Sequence, residues 1–446
     1  MMSAEERQDN QPVTEGEKTT VGNYFVANYP PFSFWTEDQI GTATKLLETR
    51  PDNPPDLGVY VHLPFCRKRC DFCYFKVYTD KNAADVQRYL DAVLTEARAY
   101  AARPYIEGRL PKLVYFGGGT PSYLSTSQLT TLFEGLREVF DWSRVEEITF
   151  ECEPGTLTRK KIEVLHDLGV TRLSLGVENF DAEILELNNR AHRAQEIFEA
   201  YETAREVGFR QINLDLIAGM VGETEENWQH CIEKTLELEP ESVTIYQLEV
   251  PYNTTIYQRM KNGGVRVAPV ADWPTKRRWT DEAFAALEKA GYQIGSAYTA
   301  KKDDSVQFLY RDALWTGADL LGLGVSSFGH LGGIHLQNEH RFEPYVERVE
   351  KGELPIHRAL QLEDDERLIR EFVLQLKLGH LSLDYFRNRF GVDPRERFAD
   401  TLEGLAASGE VAVTSEAIDV SREALLRVDE LLPRFFRAEH RNARYA

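Results

Sequence analysis

The sequence has few cysteines, no long apolar run and a deficit of positive charge. Its 446 residues include only five cysteines, three of them clustered, which disfavours a disulfide framework and indicates a reducing compartment. No segment reaches the apolar length that a bilayer requires, and the N-terminus lacks the order of a secretory signal, so we expect a cytoplasmic protein without membrane contact. The formal charge of −20 disfavours nonspecific nucleic-acid binding, which needs a positive field.

The first residues differ in composition from the rest of the chain. Residues 1–20 are polar and charged, and we expect them to form a disordered tail. Residues 21–57 are expected to form an N-terminal strap, because seven large apolar or aromatic residues occur between Tyr24 and Trp35. From the residues alone, this strap could cover the mouth of the main domain or belong to its core.

Apolar runs alternate with helical patterns between residues 58 and 361, which we expect to form one domain. Strands separated by helices indicate right-handed parallel βαβ units, and six such units predict an α/β fold with a partial (βα)6 barrel. The predicted strands are Val59–Leu63, Leu113–Phe116, Glu147–Cys152, Arg172–Gly176, Gln211–Ile217 and Ser242–Gln247.

The pattern changes in residues 362–446, which we expect to form a mostly helical C-terminal domain resembling a winged helix. Predicted helices end at Gly379 and cover Leu383–Phe390 and Pro394–Ala407; a hairpin and a last helix from Ser421 follow. The segment is rich in acids and lacks a basic recognition helix, so a packing or lid role is favoured over DNA binding.

Cys66, Cys70 and Cys73 follow the first predicted strand, and no fourth cysteine lies within ligand reach. A cubane iron–sulfur cluster usually takes four thiolates, so three of them leave one iron open for a ligand that is not protein. Zinc is disfavoured because no histidine lies nearby at ligand spacing, and His62 is interpreted as structural. The other possibility is three reduced cysteines without a special role. The C-x3-C-x2-C spacing after a strand resembles the radical S-adenosylmethionine (SAM) superfamily.

Two further motifs follow predicted strands, where barrel enzymes place their chemistry. Gly117–Gly119 precede Thr120-Pro121, and glycines let backbone groups approach a ligand, although a tight turn would also explain them. Glu151 ends the third strand, where a carboxylate can accept hydrogen bonds from a ribose or an amine or can simply be a loop acid.

The chain from about Gly22 resembles the oxygen-independent coproporphyrinogen III oxidase family of the radical SAM superfamily. The shared motifs run in the family's order: Tyr-Val-His-Leu-Pro-Phe-Cys, Gly-Gly-Gly-Thr-Pro, Glu-Cys-Glu-Pro, Leu-Gly-Val-Glu-Asn-Phe, Asn-Leu-Asp-Leu-Ile-Ala-Gly, the segment Gly317–Phe328 and Gln375–Gly379. The resemblance implies a [4Fe–4S] cluster on Cys66, Cys70 and Cys73 and two SAM molecules. It implies contacts to the cluster-bound SAM from Tyr60, Gly118, Glu151 and Phe328, and contacts to the second SAM from Phe72, Gly119, Thr120, Arg190 and Asp215.

The chain departs from the family at three places, which limits how far the family's residue roles apply to it. Phe75 stands where the oxidases have an additional cysteine, and Glu178 stands where the family usually has a glutamine, so the second SAM site receives an extra negative charge. The N-terminal strap matches only in its Tyr-Pro character. These departures leave the fold and the first SAM site intact and bear on the substrate.

The implied reaction is the oxidative decarboxylation of coproporphyrinogen III to protoporphyrinogen IX in heme biosynthesis. A tetrapyrrole-like substrate and an electron donor such as flavodoxin or ferredoxin are the implied partners, and we expect a monomer. Basic residues could pair with substrate carboxylates or form a solvated face: Arg67, Lys68, Arg69, Lys76, Lys301 and Lys302. The alternatives are a class C radical SAM methyltransferase, a heme chaperone of the same family, and a non-catalytic heme-binding module with a vestigial cluster.

Overall fold

The computed structural model describes residues 25–263, 269–441 and 443. The disordered tail expected at residues 1–20 and the first four residues of the expected strap lie outside the described residues. Residues 264–268 of the predicted barrel domain and residues 442 and 444–446 of the predicted C-terminal domain also lie outside the described residues.

Six parallel strands form the centre of the sheet, as the sequence predicts. They are β1 (Leu57–Leu63), β2 (Pro111–Gly118), β3 (Glu147–Cys152), β4 (Arg172–Glu178), β5 (Gln211–Ala218) and β6 (Ser242–Gln247), and they lie side by side in this order. The strands are buried along nearly their whole length, because helices cover the outside and side chains fill the inside. The predicted α/β fold with a partial (βα)6 barrel is confirmed.

Helices connect the strands. They are α1 (Ile40–Leu47), α2 (Ala83–Ala101), α3 (Thr126–Val139), α4 (Arg159–Asp167), α5 (Ala182–Leu187), α6 (Ala194–Val207), α7 (Glu225–Leu238), α8 (Thr255–Asn262) and α9 (Trp273–Lys289). Local sequence fixes several starts: α2 begins at a capping box formed by Asn82 and Asp85, and α3 begins at one formed by Ser125 and Gln128.

The sheet extends beyond the six predicted strands on both sides. The added elements are β7 (Gln293–Ile294), β8 (Thr299–Lys301), α10 (Leu309–Trp315), β9 (Asp319–Leu323), β10 (Phe328–Leu331), β11 (Ile334–Asn338), α11 (Phe342–Glu350) and β12 (Ile356–Gln361). The twelve strands run β12-β11-β10-β9-β1-β2-β3-β4-β5-β6-β8-β7, so the barrel stays open at β7 and β12. Strand β9 pairs with β1 in parallel, which brings a late segment of the chain next to the strand that carries the cysteine loop.

The C-terminal segment has its own core and a three-stranded sheet in the order β13-β15-β14. Two predicted helices are divided: the structure has separate helices on either side of Phe398, and two short helices follow Ser421. The elements are α12 (Asp364–Leu376), β13 (His380–Ser382), α13 (Leu383–Phe390), α14 (Pro394–Arg397), α15 (Ala399–Ala407), β14 (Val411–Val413), β15 (Ala417–Val420), α16 (Arg422–Leu425) and α17 (Val428–Leu431). The predicted domain boundary falls between β12 and α12.

The described part of the strap joins both domains. Val26 and Tyr29 belong to the C-terminal core, whereas Trp35 stacks on His335 of β11 at a ring distance of 4.6 Å. Thr36 exchanges two backbone hydrogen bonds with Ala359 of β12. The strap therefore forms part of the core and, as described below, also borders the cavity of the barrel.

Candidate active site

The cysteine loop begins at the carboxyl end of β1 and is held by the backbone. The N–H of Cys66 donates to the carbonyl of Tyr78 at 3.1 Å, and the N–H of Cys73 donates to the carbonyl of Cys70 at 3.1 Å. Asp71, between the second and third cysteines, donates its N–H to the carbonyl of Asn188. These bonds fix the loop between β1 and the segment that follows α5.

The three thiols face one space and have polar neighbours. Thr120 Oγ1 donates to Cys66 Sγ at 3.3 Å, and Arg190 Nη1 donates to Cys70 Sγ at 3.2 Å. Burial raises the pKa of Cys66 to about 12 and that of Cys73 to about 11, so both are neutral thiols until a metal displaces their protons. Both remaining cysteines, Cys152 and Cys231, are buried, and none of the five forms a disulfide.

Three thiolates are the number of protein ligands that a cubane cluster with one open iron requires. Within the described ranges, no three His, Cys, Asp or Glu side chains converge as the ligands of one metal ion. In a cubane each thiolate binds a different iron, so the sulfurs stand farther apart than around one zinc ion. The donor set therefore fits a cubane with one open iron.

A glycine cradle lies beside the cysteine loop, at the end of β2. Gly118 has a φ of +115°, and a Cβ there would lie 2.5 Å from the ring of His62. A Cβ on Gly119 would lie 2.9 Å from Pro64 and 3.0 Å from the carbonyl oxygen of Leu63. Both positions require glycine, so the motif is more than a flexible turn.

Glu151 lies under this cradle, inside the barrel. Its Oε2 accepts the N–H of Gly118 at 3.1 Å, and its Oε1 accepts the hydroxyl of Tyr115 at 2.6 Å. Burial raises the pKa of Glu151 to about 7 against the effect of these hydrogen bonds. A carboxylate in this position borders the cavity and can accept hydrogen bonds from a ligand.

A second polar group includes Glu178 at the end of β4 and Asp215 in the middle of β5. Glu178 has a left-handed backbone with a φ of +65°, and its Oε1 is 3.5 Å from Arg190 Nη2. Arg190 also donates to the carbonyl of Gly176 at 2.6 Å. Burial raises the pKa of Glu178 to about 7, and Arg190 opposes this shift. Asp215 accepts hydrogen bonds from Ser174 and Asn213, and burial raises its pKa.

Most of the residues proposed from the sequence border one cavity of about 730 Å³. They are Cys66, Cys70, Phe72, Cys73, Gly118, Gly119, Thr120, Glu151, Glu178, Arg190 and Asp215. Tyr60 and Phe328 lie outside this lining. Tyr60 donates to or accepts from His62 Nδ1 at 3.0 Å and packs on Tyr115, whereas Phe328 packs on Phe32 and Trp35 of the strap. Their contacts to SAM stay predictions.

Several aromatic side chains line the cavity. Tyr74 and Phe75 follow the third cysteine with rings 4.5 Å apart, and 42% and 45% of their surface is exposed. The other aromatic residues of the lining are Phe25, Phe72, Tyr246, Trp273 and Tyr298. The wall thus offers flat apolar surface next to the thiols.

The roof of the cavity comes from the strap and the C-terminal domain, and the sequence did not reveal it. Lys377 is fully buried; its Nζ donates to the carbonyl of Val26 at 2.7 Å and lies 2.9 Å from Asp429 Oδ1. Asp429 also accepts the N–H of Val26 at 3.0 Å, and Glu249 accepts the N–H of Phe25 at 2.7 Å. The three contacts to the strap connect positions more than 200 residues apart, so local patterns carry no signal for them.

The basic residues considered in the sequence differ in their placement. Arg67, Lys68 and Arg69 border the cavity, whereas Lys76, Lys301 and Lys302 do not. Lys301 pairs with Asp304 at 3.2 Å, and Lys302 lies 4.0 Å from Glu241. The hypothesis that the two neighbouring lysines receive substrate carboxylates therefore lacks support.

Among the described residues, no helix has both the length and the apolar character needed to cross a bilayer.

Comparison with known proteins first defines the class. The family model described as "Radical SAM superfamily" matches residues 60–235, which carry the second half of β1, the cysteine loop and β2 to β5. The cofactors of this class are a [4Fe–4S] cluster and SAM, and the thiol set and the glycine cradle described above fit them.

Full-length relatives define the family more narrowly. The oxygen-independent coproporphyrinogen III oxidase of Escherichia coli is 30% identical over 398 residues, covering 85% of this chain and 84% of the relative. The heme chaperone HemW of Bacillus subtilis is 28% identical over 386 residues, covering 85% and 98%. The solved structure of coproporphyrinogen III oxidase (HemN) from Escherichia coli matches with a TM-score of 0.81 at 27% identity, covering 92% of this chain and 96% of the other. The chain belongs to the oxygen-independent coproporphyrinogen III oxidase family.

Proposed function

We propose that this protein is a radical SAM oxidoreductase that oxidatively decarboxylates coproporphyrinogen III or a closely related tetrapyrrole. The observation that carries this proposal is the aromatic cavity, which runs from the cysteine loop to the roof without interruption. Its volume of about 730 Å³ is within the range of ligand cavities, and its flat apolar walls suit a macrocycle.

In this proposal the chain's own residues bind and orient the cofactors. Cys66, Cys70 and Cys73 would hold the cluster, and the backbone of Gly118 with the carboxylate of Glu151 would bind the SAM on the open iron. When bound, the cluster and SAM supply a carbon radical that can abstract a hydrogen atom from the substrate. The strap and the C-terminal domain border the same cavity, and in this proposal they limit the access of water to the reacting centre.

A second SAM would occupy the part of the cavity bordered by Phe72, Gly119, Thr120, Arg190 and Asp215. The extra acid at Glu178 is not an obstacle to this, because Arg190 lies 3.5 Å away and balances its charge. Equilibrium binding of SAM to the anaerobic, cluster-loaded protein would then give two molecules per chain. Asp215→Ala would reduce this to one while the cluster stays intact.

The test of the main proposal is anaerobic incubation of the reconstituted protein with SAM, a chemical reductant and coproporphyrinogen III, followed by mass spectrometry. Loss of two carboxyl groups supports the oxidase. A gain of one carbon would instead identify a methyltransferase. An unchanged substrate, together with SAM cleavage in the same sample, would contradict both reactions.

A heme chaperone is the second candidate, and Phe75 favours it. The position of Phe75 is a cysteine in the oxidases and often a phenylalanine in their chaperone relatives. Heme binding by the purified protein, with transfer to an apo-hemoprotein and no conversion of coproporphyrinogen III, would support the chaperone. The packed strap of residues 25–57 favours the oxidase, since the chaperones begin almost at the cysteine strand.

A further inference from the structure

Two side chains from other parts of the chain donate hydrogen bonds to the sulfur atoms of the cysteine loop. Thr120 Oγ1 donates to Cys66 Sγ at 3.3 Å, and Arg190 Nη1 donates to Cys70 Sγ at 3.2 Å. The donors lie 54 and 120 positions along the chain from the cysteines that they contact. The fold, and not the loop itself, therefore supplies a polar partner to each of these two sulfurs.

Separate backbone contacts hold both donors in place. The N–H of Thr120 donates to the carbonyl of Phe65 at 2.8 Å, which ties Thr120 to the residue before Cys66. Arg190 Nη2 donates to the carbonyl of Gly176 at 2.6 Å, and 10% of the arginine side chain is exposed. A thiolate bound to iron still has lone pairs that accept hydrogen bonds. Both donors therefore stay directed at the sulfurs when iron replaces the thiol protons.

Hydrogen bonds to the sulfur ligands are among the properties that set the reduction potential of an iron–sulfur cluster. Reduction adds one negative charge to the cluster, so a donor stabilises the reduced state more than the oxidised state. Arg190 is a charged donor and Thr120 is a neutral one, so the hydrogen bond from Arg190 is the stronger of the two. Glu178 lies 3.5 Å from Nη2, the other terminal nitrogen of this arginine, and leaves Nη1 to Cys70. Loss of either donor would make the cluster harder to reduce.

We propose that Thr120 and Arg190 raise the reduction potential of the cluster through their hydrogen bonds to Cys66 and Cys70. This inference rests on the proposed function, which places a [4Fe–4S] cluster on the three cysteines. It adds a role to two residues for which the family resemblance implies contacts to the second SAM. In the step that these donors favour, one electron from a low-potential reductant enters the cluster, and no bond forms or breaks. The two roles are separable, because the role toward the cluster persists when SAM is left out.

Two substitutions remove the donors one at a time. Thr120→Val replaces a hydroxyl by a methyl group of nearly the same size, so the loop and the glycine cradle keep their shape. Arg190→Met removes the guanidinium and keeps an unbranched side chain. The backbone N–H of Phe75 also forms a hydrogen bond to Cys73, and it is present in every variant. The comparison therefore isolates the two side-chain donors.

The matched controls, Thr235→Val and Arg370→Met, make the same changes at buried residues that have other partners. The hydroxyl of Thr235 donates to the carbonyl of Cys231 at 2.8 Å within α7, and Arg370 Nε of α12 donates to Asn28 Oδ1 at 2.9 Å. The reduction potential of each anaerobically reconstituted protein is measured without SAM and without substrate, by EPR spectroscopy of samples poised with dithionite and redox mediators. Resonance Raman spectra in H2O and D2O report the hydrogen bonds to the sulfurs.

We expect each donor variant to lower the equilibrium constant for one-electron reduction of the cluster about tenfold, which corresponds to a potential lower by about 59 mV. Both controls should keep the potential of the unmodified protein, and the deuterium shift of the Fe–S(Cys) bands should decrease only in the donor variants. A donor variant with the potential of its control would overturn the proposal. If Arg190→Met holds no cluster, Thr120→Val alone decides. Failure of the proposed function is distinguishable, because it appears as absence of tetrapyrrole conversion, which the measurement of the potential does not involve.

Discussion

Replacing Gly118 by alanine tests whether the glycine cradle needs the space that the structure leaves. The φ of +115° costs an alanine about 1–2 kcal/mol. The new Cβ would lie 2.5 Å from His62 Cε1, and relieving such a contact in a packed site costs about 1–3 kcal/mol more. His62 cannot move away easily, since 6% of it is exposed and its Nδ1 lies 3.0 Å from the hydroxyl of Tyr60. We therefore expect Gly118→Ala to lower the free energy of unfolding by about 2–5 kcal/mol.

A matched glycine and a double variant separate the two contributions. Gly352 has a φ of +78° and no atom within 4 Å of a Cβ built there, so Gly352→Ala should cost only the backbone strain, about 1–2 kcal/mol. In the double variant His62→Ala/Gly118→Ala the steric contact is removed, and the loss should be smaller than the sum of the two single losses by about 1–3 kcal/mol. The free energies come from urea unfolding.

The same substitution should weaken SAM binding, because the N–H of Gly118 donates to Glu151 at 3.1 Å and would be displaced with the cradle. SAM affinity of the cluster-loaded protein is measured by equilibrium dialysis. Two results would contradict the proposed contact between His62 and the cradle. One is a free energy of unfolding for Gly118→Ala that is no lower than that of Gly352→Ala. The other is a loss in the double variant that equals the sum of the two single losses.

Three further outcomes are expected. Alanine at Cys66, Cys70 or Cys73 abolishes the iron and sulfide content after anaerobic reconstitution, whereas alanine at the buried Cys152 or Cys231 preserves it; a full cluster in any of the first three would refute the ligand set. Glu96→Gln lowers the free energy of unfolding by about 2–4 kcal/mol. Glu96 accepts hydrogen bonds from Tyr345, Gly324 and Asn338, and the NH2 group of a glutamine would place a donor against one of these donors. An unchanged free energy in urea unfolding would contradict this network. Burial lowers the pKa of Lys276 to about 7, whereas an unfolded lysine titrates at about 10.4. Between these pH values the unfolded state binds more protons than the folded state. The free energy of unfolding therefore rises with pH, by up to about 1.4 kcal/mol per pH unit. Lys276→Met should flatten this slope between pH 7.5 and 9.5, and an unchanged slope would show that other groups cause it.

Local patterns predicted the centre of the sheet. The strands Glu147–Cys152 and Ser242–Gln247 coincide with the structure, because buried parallel strands are continuous apolar runs bounded by helices. The cysteine loop and the glycines were also visible, since each motif is contiguous. The strands β9 to β12 were not predicted; β10 and β11 pair antiparallel across the turn at Gly332 and Gly333, so no helical pattern separates them.

The roof could not be predicted from spacing at all. Lys377 meets Val26 across 351 positions, and Phe25 meets Glu249 across 224. Each of these residues is unremarkable in its own segment: a lysine after a helix, an acid after a strand. The charges of Lys377 and Glu249 become informative only in the folded structure, because a buried charge without a partner would be costly.

Two of the three departures from the family, Phe75 and Glu178, lie on the walls of one cavity. Phe75 stacks beside Tyr74 with rings 4.5 Å apart, so the position of the family's additional cysteine supplies apolar surface here instead of a thiol. Arg190 lies 3.5 Å from Glu178 and neutralises its negative charge. The same arginine donates a hydrogen bond to Cys70 of the cysteine loop. Neither change replaces one of the three thiols or a glycine of the cradle. The departures therefore alter the space offered to the ligand rather than the site that holds the cluster, and the substrate is where this chain is expected to differ from the oxidases it resembles.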